Sequence, residues 1–214
     1  KSIYFNMSRN NIEKYLKTDQ NVLLNSVPSV VEGLLREGTD LSHITVMNMA
    51  GEPISAYVQQ HVNTQNTEVR NLYGPLEDTT YSTVFRLEKD KPVTIGKPIH
   101  NTQIRILSKE SNLLPIGIAG EICISGDGVA RGYLNQPELT KEKFIQDPFN
   151  SQSRLYKTGD LGRWLEDGNI EYLGRIDDQV KIRGYRIELG EIEATTQQSG
   201  LIKQSVVLAK QDQT

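Results

Sequence analysis

The segment beginning at Gly174 reads GRIDDQVKIRGYRIELGEIE, setting Asp, Glu, Lys, Arg and Gln side chains around glycines while keeping Ile176, Val180, Ile182 and Ile187 apolar. A charged surface strand has no use for those glycines, and a helix would not place Gly184 and Gly190 in its path. The mixture points to a dedicated surface. A second run, GDGVARG from Gly126, has the composition of a phosphate loop. It lacks the GxGxxG and GxxxxGK(S/T) spacings that set backbone amides around phosphate, so it reads as a turn between strands. There is no HExxH, no paired-cysteine motif and no GxSxG, which removes support for zinc hydrolysis and for a serine nucleophile. Cys123, alone in the apolar run EICIS, reads as a small buried hydrophobe. His61 falls on the apolar face of an expected helix and reads as a packed core residue, while His43 and His100 sit in turn-like contexts.

The elements that must carry these segments follow from periodicity. NVLLNSV reads as a strand, and Pro28 then opens a helix in which Val30, Val31, Leu34 and Leu35 share a face, ending at Gly38. ITVMNMAG is a second strand. Pro53 opens a second helix with Ile54, Tyr57, Val58, His61 and Val62 at helical spacing, and TEVRNLYG is a third strand. This alternation argues for a parallel α/β layer. NNIEKYLK near the start reads as one more short helix. From about Pro92 the chain turns to strands: IGKPIHNTQIRILS, EICISGDGVARGYL, GRWLEDGNIEYLGR and QVKIRGYRI, with turn pairs at Asp127-Gly128 and Asp167-Gly168. The second pair is a hairpin signal. After Gly190 a helix is expected, with Glu188 and Glu191 near its N-terminal end, and then a strand, SVVLAK.

The 214 residues carry 24 Lys plus Arg against 27 Asp plus Glu, a net charge of -3, which gives no drive toward nucleic acid or an anionic membrane. A single cysteine builds no disulfide framework, and no apolar run reaches membrane-spanning length. A soluble, cytoplasmic protein is expected.

Four segments occur in order: NLYGPLEDTTYST from Asn71, GEICISGDGVARGYL from Gly120, YKTGD from Tyr156, and the Gly174 segment. Together they resemble the amino-acid-activating adenylation domain of nonribosomal peptide synthetases, in the adenylate-forming superfamily that also includes acyl-CoA synthetases and luciferases. The resemblance runs from about Val22 to the end. It implies an α/β and β-rich fold: a parallel α/β layer, a β-barrel-like subdomain, and the start of a small α+β C-terminal lid. Residues 1–177 would be the later part of the large subdomain and 178–214 the start of the lid, with Asp177 as the hinge.

The resemblance also implies roles. Asn71 would bond the adenine edge and Tyr73 would stack on the ring, an aromatic face suiting a purine. Gly51 would lie close to adenine. Glu77 would hold Mg²⁺, a hard cation that takes oxygen ligands. Asp160 would take both ribose hydroxyls, with Tyr172 and Arg175 flanking ribose and the α-phosphate. Asn25, Asn48, Ala50, Leu72, Thr80 and Tyr81 would line the amino-acid side-chain pocket; their amides, hydroxyl and phenol suit a neutral substrate. Gly184 would leave room for a phosphopantetheine arm, and Lys181 and Arg186 would face nucleotide or carrier. Glu77, Arg175 and Lys181 are thus the catalytic candidates.

The implied reaction converts ATP and an amino acid to aminoacyl-AMP and pyrophosphate, then passes the acyl group to the phosphopantetheine thiol of a peptidyl carrier protein, with neighbouring synthetase domains as further partners. The family's Gly-, Ser- and Thr-rich phosphate loop and its lid lysine lie outside these residues, so the chain is expected to need the remainder of an adenylation domain for catalysis. One departure stands out: Leu76 occupies the position where the family carries Thr or Ser, and it offers no hydrogen bond. That motivates the alternative of a non-catalytic interaction module with the adenylation fold. An acyl-CoA or aryl-acid ligase is the alternative within the superfamily.

Overall fold

The computed structural model describes residues 3–5, 21–177, 179–182, 185–199, 201–202 and 204–210. The NNIEKYLK segment lies outside them. Strands β1 (Ile3–Phe5), β2 (Val22–Ser26), β3 (Ile44–Ala50) and β4 (Glu68–Tyr73) pair in parallel, and β5 (Thr83–Arg86) and β6 (Lys97–Pro98) extend the sheet antiparallel. The expected strand and helix alternation is thus present. Helix α1 (Pro28–Arg36) begins with Pro at its first position, where a missing N–H costs nothing, and stops at Gly38, whose φ of +70° suits a residue without Cβ. Val31 and Leu34 of α1 and Val58 of α2 (Ala56–His61) pack on Val22, Leu24, Met47 and Met49. Each fully buried side chain of this kind stabilises by roughly 1.5–3 kcal/mol.

Two expectations about α2 change. Ser55 caps it, its Oγ accepting from Val58 N at 3.2 Å, so Pro53 lies ahead of the helix. His61 is exposed, because the helix ends there; its ring stacks on Tyr57 with centroids 4.0 Å apart, and its Nδ1 lies 2.8 Å from Tyr57 O.

The β-rich half forms a second sheet of order β11 (Ile170–Arg175), β10 (Arg154–Trp164), β8 (Gly120–Gly126), β7 (Thr102–Leu107), with β9 (Phe144–Gln146) also paired to β10. Every pairing is antiparallel. The barrel-like expectation is corrected to an open sheet: among the described residues no ladder joins the β7 and β11 edges. The Asp167-Gly168 turn does join β10 to β11. The sheets meet where Ile95 N and Ile170 N donate to Ile170 O and Gly96 O, at 3.0 and 2.9 Å. A Cβ on Gly96 would lie 1.9 Å from Val84 O, so only glycine permits this approach. Below the junction Tyr73, Ile95, Ile104, Ile106, Ile122, Ile124 and Ile170 form one core. Cys123 is buried, and burial pushes its thiol pKa up, as a small hydrophobe requires.

Helix α3 (Pro137–Lys143) was not foreseen: it buries no residue and so shows no apolar stripe. Beyond it, β12 (Val180–Ile182) and β13 (Tyr185–Ile187) form a two-stranded ribbon, followed by α4 (Leu189–Gln198). Gly190 lies inside the first turn of α4, contrary to expectation; position there demands less of a residue than the helix interior. The expected SVVLAK strand has no ladder. Its backbone is held by α4 instead, with Val207 N donating to Glu193 Oε1 at 2.8 Å. No helix among the described residues is long and apolar enough to cross a membrane.

Candidate functional site

The site is assembled where the end of β4 meets the β10–β11 hairpin. Alternation along β4 turns Asn71 and Tyr73 to one face and Leu72 to the other. On β10 the sequence Thr158-Gly159-Asp160 forms an irregularity: the register against β8 shifts between Lys157 and Leu161, and Gly159 takes φ of +73°. Thr158 Oγ1 donates to Ile122 O at 2.7 Å, and Asp160 N donates to Thr158 Oγ1 at 2.9 Å, which fixes the bulge. Its consequence is the placement of Asp160, directly opposite Arg175 in the hairpin register.

Asp160 is the junction of the site. Tyr73 Oη donates to its Oδ2 at 2.6 Å, while its Oδ1 accepts from Arg175 Nη1 at 2.9 Å and from Tyr172 Oη at 3.4 Å. Arg175 reaches onward to Asp177 in a bidentate pair, Nε at 2.6 Å and Nη2 at 2.5 Å, and donates to Thr158 O. Burial first, and then the Asp160 charge, lift the Tyr73 phenol well above the ordinary tyrosine value and push Tyr172 up to about 12. Both phenols therefore stay protonated donors at neutral pH. Burial works against the charge of both Arg175 and Asp177, but the carboxylates of Asp177 and Asp160 more than offset it at Arg175, raising its pKa, and chiefly the Arg175 guanidinium does so at Asp177, lowering its pKa.

Tyr73, Tyr172 and Arg175 face a cavity of about 420 Å³ lined also by Gly51, Asn71 and Leu72, together with apolar Pro53, Ile54, Val93 and Ile95 and with Gln179. That is the size of a small-molecule site with apolar walls and few polar groups. Asn71 Nδ2 is committed to Thr94 O at 2.7 Å. The structure thus brings together Gly51, Asn71, Tyr73, Tyr172 and Arg175, with Asp160 bound to three of them.

The amino-acid pocket candidates divide. Tyr81 Oη donates to Asn25 Oδ1 at 3.0 Å, and Asn25 stands opposite Asn48 across β2 and β3. Asn48, Leu72 and Tyr81 line a second cavity, of about 700 Å³, which is also lined by Glu68, Arg70, Arg86 and Lys97. Leu72 is the wall shared by the two cavities. Ala50 pairs with Leu72 in the sheet, whereas Thr80 sits exposed in the following turn and lines neither cavity.

Glu77 lies one turn beyond β4, in a short 3-10 segment, Leu76–Asp78; it is 7% exposed, and its Oε1 accepts from Tyr133 Oη at 2.7 Å. A buried carboxylate already oriented by a phenol fits a hard cation that takes one protein carboxylate and completes its shell with water and phosphate oxygens. Leu76 beside it is 81% exposed. Lys181 and Arg186 stand opposite each other on β12 and β13; Gly184 lies outside the described residues. Tyr133, Thr158 and Gln179 are contacts that residue types alone did not single out. Tyr133 had a signal, its place in the segment GEICISGDGVARGYL, but no indication of its partner 56 residues away.

A family model described as AMP-binding enzyme matches residues 6–134. Tyrocidine synthase 2 of Brevibacillus parabrevis is 46% identical over 191 residues, covering 87% of this chain and 5% of that protein. Gramicidin S synthase 2 of Aneurinibacillus migulanus is 40% identical over 205 residues, 94% of this chain and 5% of that protein. The chain therefore spans a small fraction of these relatives. Among solved structures, PA1221, an NRPS protein containing adenylation and PCP domains, superimposes with a TM-score of 0.79 at 26% identity, covering 90% of this chain and 41% of that one.

Proposed function

We propose that this chain, which belongs to the AMP-binding enzyme family, forms the nucleotide-facing part of an amino-acid-activating adenylation domain. The observation that carries the reading is Asp160, a carboxylate gathered by Tyr73, Tyr172 and Arg175, all three of which line a cavity of about 420 Å³. Asp160 takes the ribose hydroxyls. A carboxylate has about four acceptor positions; three are used, and the 3.4 Å bond from Tyr172 is the weakest and the first to yield. Asn71, with its amide N–H on Thr94, presents Oδ1 to the adenine amino group, and the Tyr73 ring offers its face to the base.

Arg175 stabilises negative charge at the α-phosphate as the substrate carboxylate attacks in line, with pyrophosphate leaving. Its donors are now shared among Asp160, Asp177 and Thr158, so nucleotide competes with Asp177 for the guanidinium. Glu77 would hold Mg²⁺, which supplies neutralisation of phosphate charge. The amino acid lies on the Asn48, Leu72 and Tyr81 side, the boundary at Asp177 separates body from lid, and Lys181 and Arg186 belong to the lid. Phosphopantetheine on a carrier protein receives the aminoacyl group, and the setting is cytoplasmic.

The test is amino-acid-dependent exchange of pyrophosphate into ATP by a complete adenylation domain carrying these residues, screened across amino acids. Exchange with one or a few amino acids, reduced at least roughly 100-fold by D160A, is expected. Saturable ATP binding without exchange for any carboxylate would instead favour a non-catalytic module, and exchange driven only by fatty or aryl acids an acyl ligase.

A further inference from the structure

The GDGVARGY run that fails as a phosphate loop has a different partner. After β8 the loop of residues 126–133 closes on the turn that carries Glu77. Thr79 Oγ1 donates to Gly128 O at 2.7 Å, Ala130 N donates to Glu77 O at 2.8 Å, and Tyr133 Oη donates to Glu77 Oε1 at 2.7 Å. The fit is close: a Cβ on Gly128 would lie 2.5 Å from Asp78 Oδ1. The turn being held is strained, since Thr79 and Thr80 take φ of 57° and 115°, a region β-branched residues avoid. Left to itself the turn would relax, and Glu77 with it.

The loop is anchored in turn. Tyr133 N donates to Thr140 Oγ1 of α3 at 2.9 Å, and the Tyr133 ring packs edge-on against Phe144, centroids 5.3 Å apart. Its hydroxyl also lies 3.3 Å from Tyr156 Oη. The otherwise unburied helix α3 thus has a task, fixing the backbone from which Tyr133 reaches Glu77.

We propose that Tyr133 is a positioning residue: its phenol fixes the Glu77 carboxylate in the orientation that accepts a divalent cation accompanying ATP, and residues 126–133 brace the turn for it. The inference rests on the reading of Glu77 as the cation-holding carboxylate. Losing one hydrogen bond to a charged group is expected to lower cation-dependent affinity roughly tenfold.

The experiment measures ATP affinity calorimetrically, with and without Mg²⁺, in a complete adenylation domain carrying these residues. Y133F keeps the ring against Phe144 and should bind metal-free ATP as the parent does, while the gain in affinity on adding Mg²⁺ falls roughly tenfold. E77Q should abolish the gain, and E77Q combined with Y133F should be no worse than E77Q, because the phenol acts through the carboxylate. An undiminished gain in Y133F, with the gain lost in E77Q, overturns the positioning role and leaves the cation reading standing. An undiminished gain in E77Q overturns both. Should Y133F fail to fold, T140V, which removes the hydroxyl that anchors Tyr133 N, carries the same test: a partial loss of the gain is expected, and an unchanged gain overturns the proposal.

Discussion

The strand-borne site and the segment beyond Asp177 are built on opposite plans. Around Asp160 every group is cross-braced: Tyr73 comes from one sheet, Arg175 and Tyr172 from the facing hairpin strand, and a bulge sets the carboxylate between them. Beyond Asp177 the described residues form a two-stranded ribbon and a helix that buries no side chain, with Ile192, Leu201, Val206 and Leu208 exposed. The first plan suits a site whose geometry must stay constant through a reaction. The second suits an element that exchanges one set of contacts for another, as the proposed hinge at Asp177 requires.

The largest effect that sharpens this contrast is on stability. L34A empties a fully buried position under the first sheet and should cost about 2–5 kcal/mol in denaturant unfolding. L208E, at a position 82% exposed, should change it by less than about 0.5 kcal/mol. Comparable losses would mean that the C-terminal segment is part of the same core, and the contrast would fall.

Next in size is the phenol that joins the sheets. Y73F removes the bond to Asp160 and should destabilise by about 1–3 kcal/mol. A stability unchanged by Y73F would show that apolar packing alone holds the junction.

A subtler probe is spectrophotometric titration of tyrosine. Tyr172 should not ionise until about 12, and Tyr73 later still, both above the ordinary tyrosine value of about 10. Because these folded-state values are raised, the stability they contribute is fully present below the unfolded value of about 10 and is lost as pH rises through the folded values. Y172F should remove one late-titrating group; if all tyrosines titrate together near about 10, the buried network around Asp160 is misdescribed.

The smallest expected effect is at Leu76. Because the side chain is exposed, L76T should leave stability unchanged, while the added hydroxyl raises ATP affinity by about 1 kcal/mol or less. A large loss of affinity would show that the leucine itself packs on the ligand.

Much of the body was legible because local rules and burial agree there. Pro28, the apolar spacing of Val31 and Leu34, and Gly38 delimit α1, and alternation along Glu68–Tyr73 separates Asn71 and Tyr73 from Leu72. The ordered motifs placed Asp160, Tyr172 and Arg175 in one site, but not the bulge at Gly159 that aims the carboxylate, since a bulge depends on the neighbouring strand. Failures came where partners decide. SVVLAK has the apolar, β-branched composition of a strand, yet no ladder forms on it. His61 matched the helical period, but α2 ended before the period could bury it. The phenol of Tyr133 found Glu77 across a distance in sequence that no local pattern spans.

The central claim is that Asp160 reads the ribose of ATP. The direct measurement is the affinity of a complete adenylation domain carrying these residues for ATP and for 2′,3′-dideoxy-ATP, in the parent and in D160N. The parent should prefer ATP by roughly 10- to 100-fold, the worth of two hydroxyls on a carboxylate, and D160N should lose most of that preference. Equal affinities in the parent would contradict the assignment.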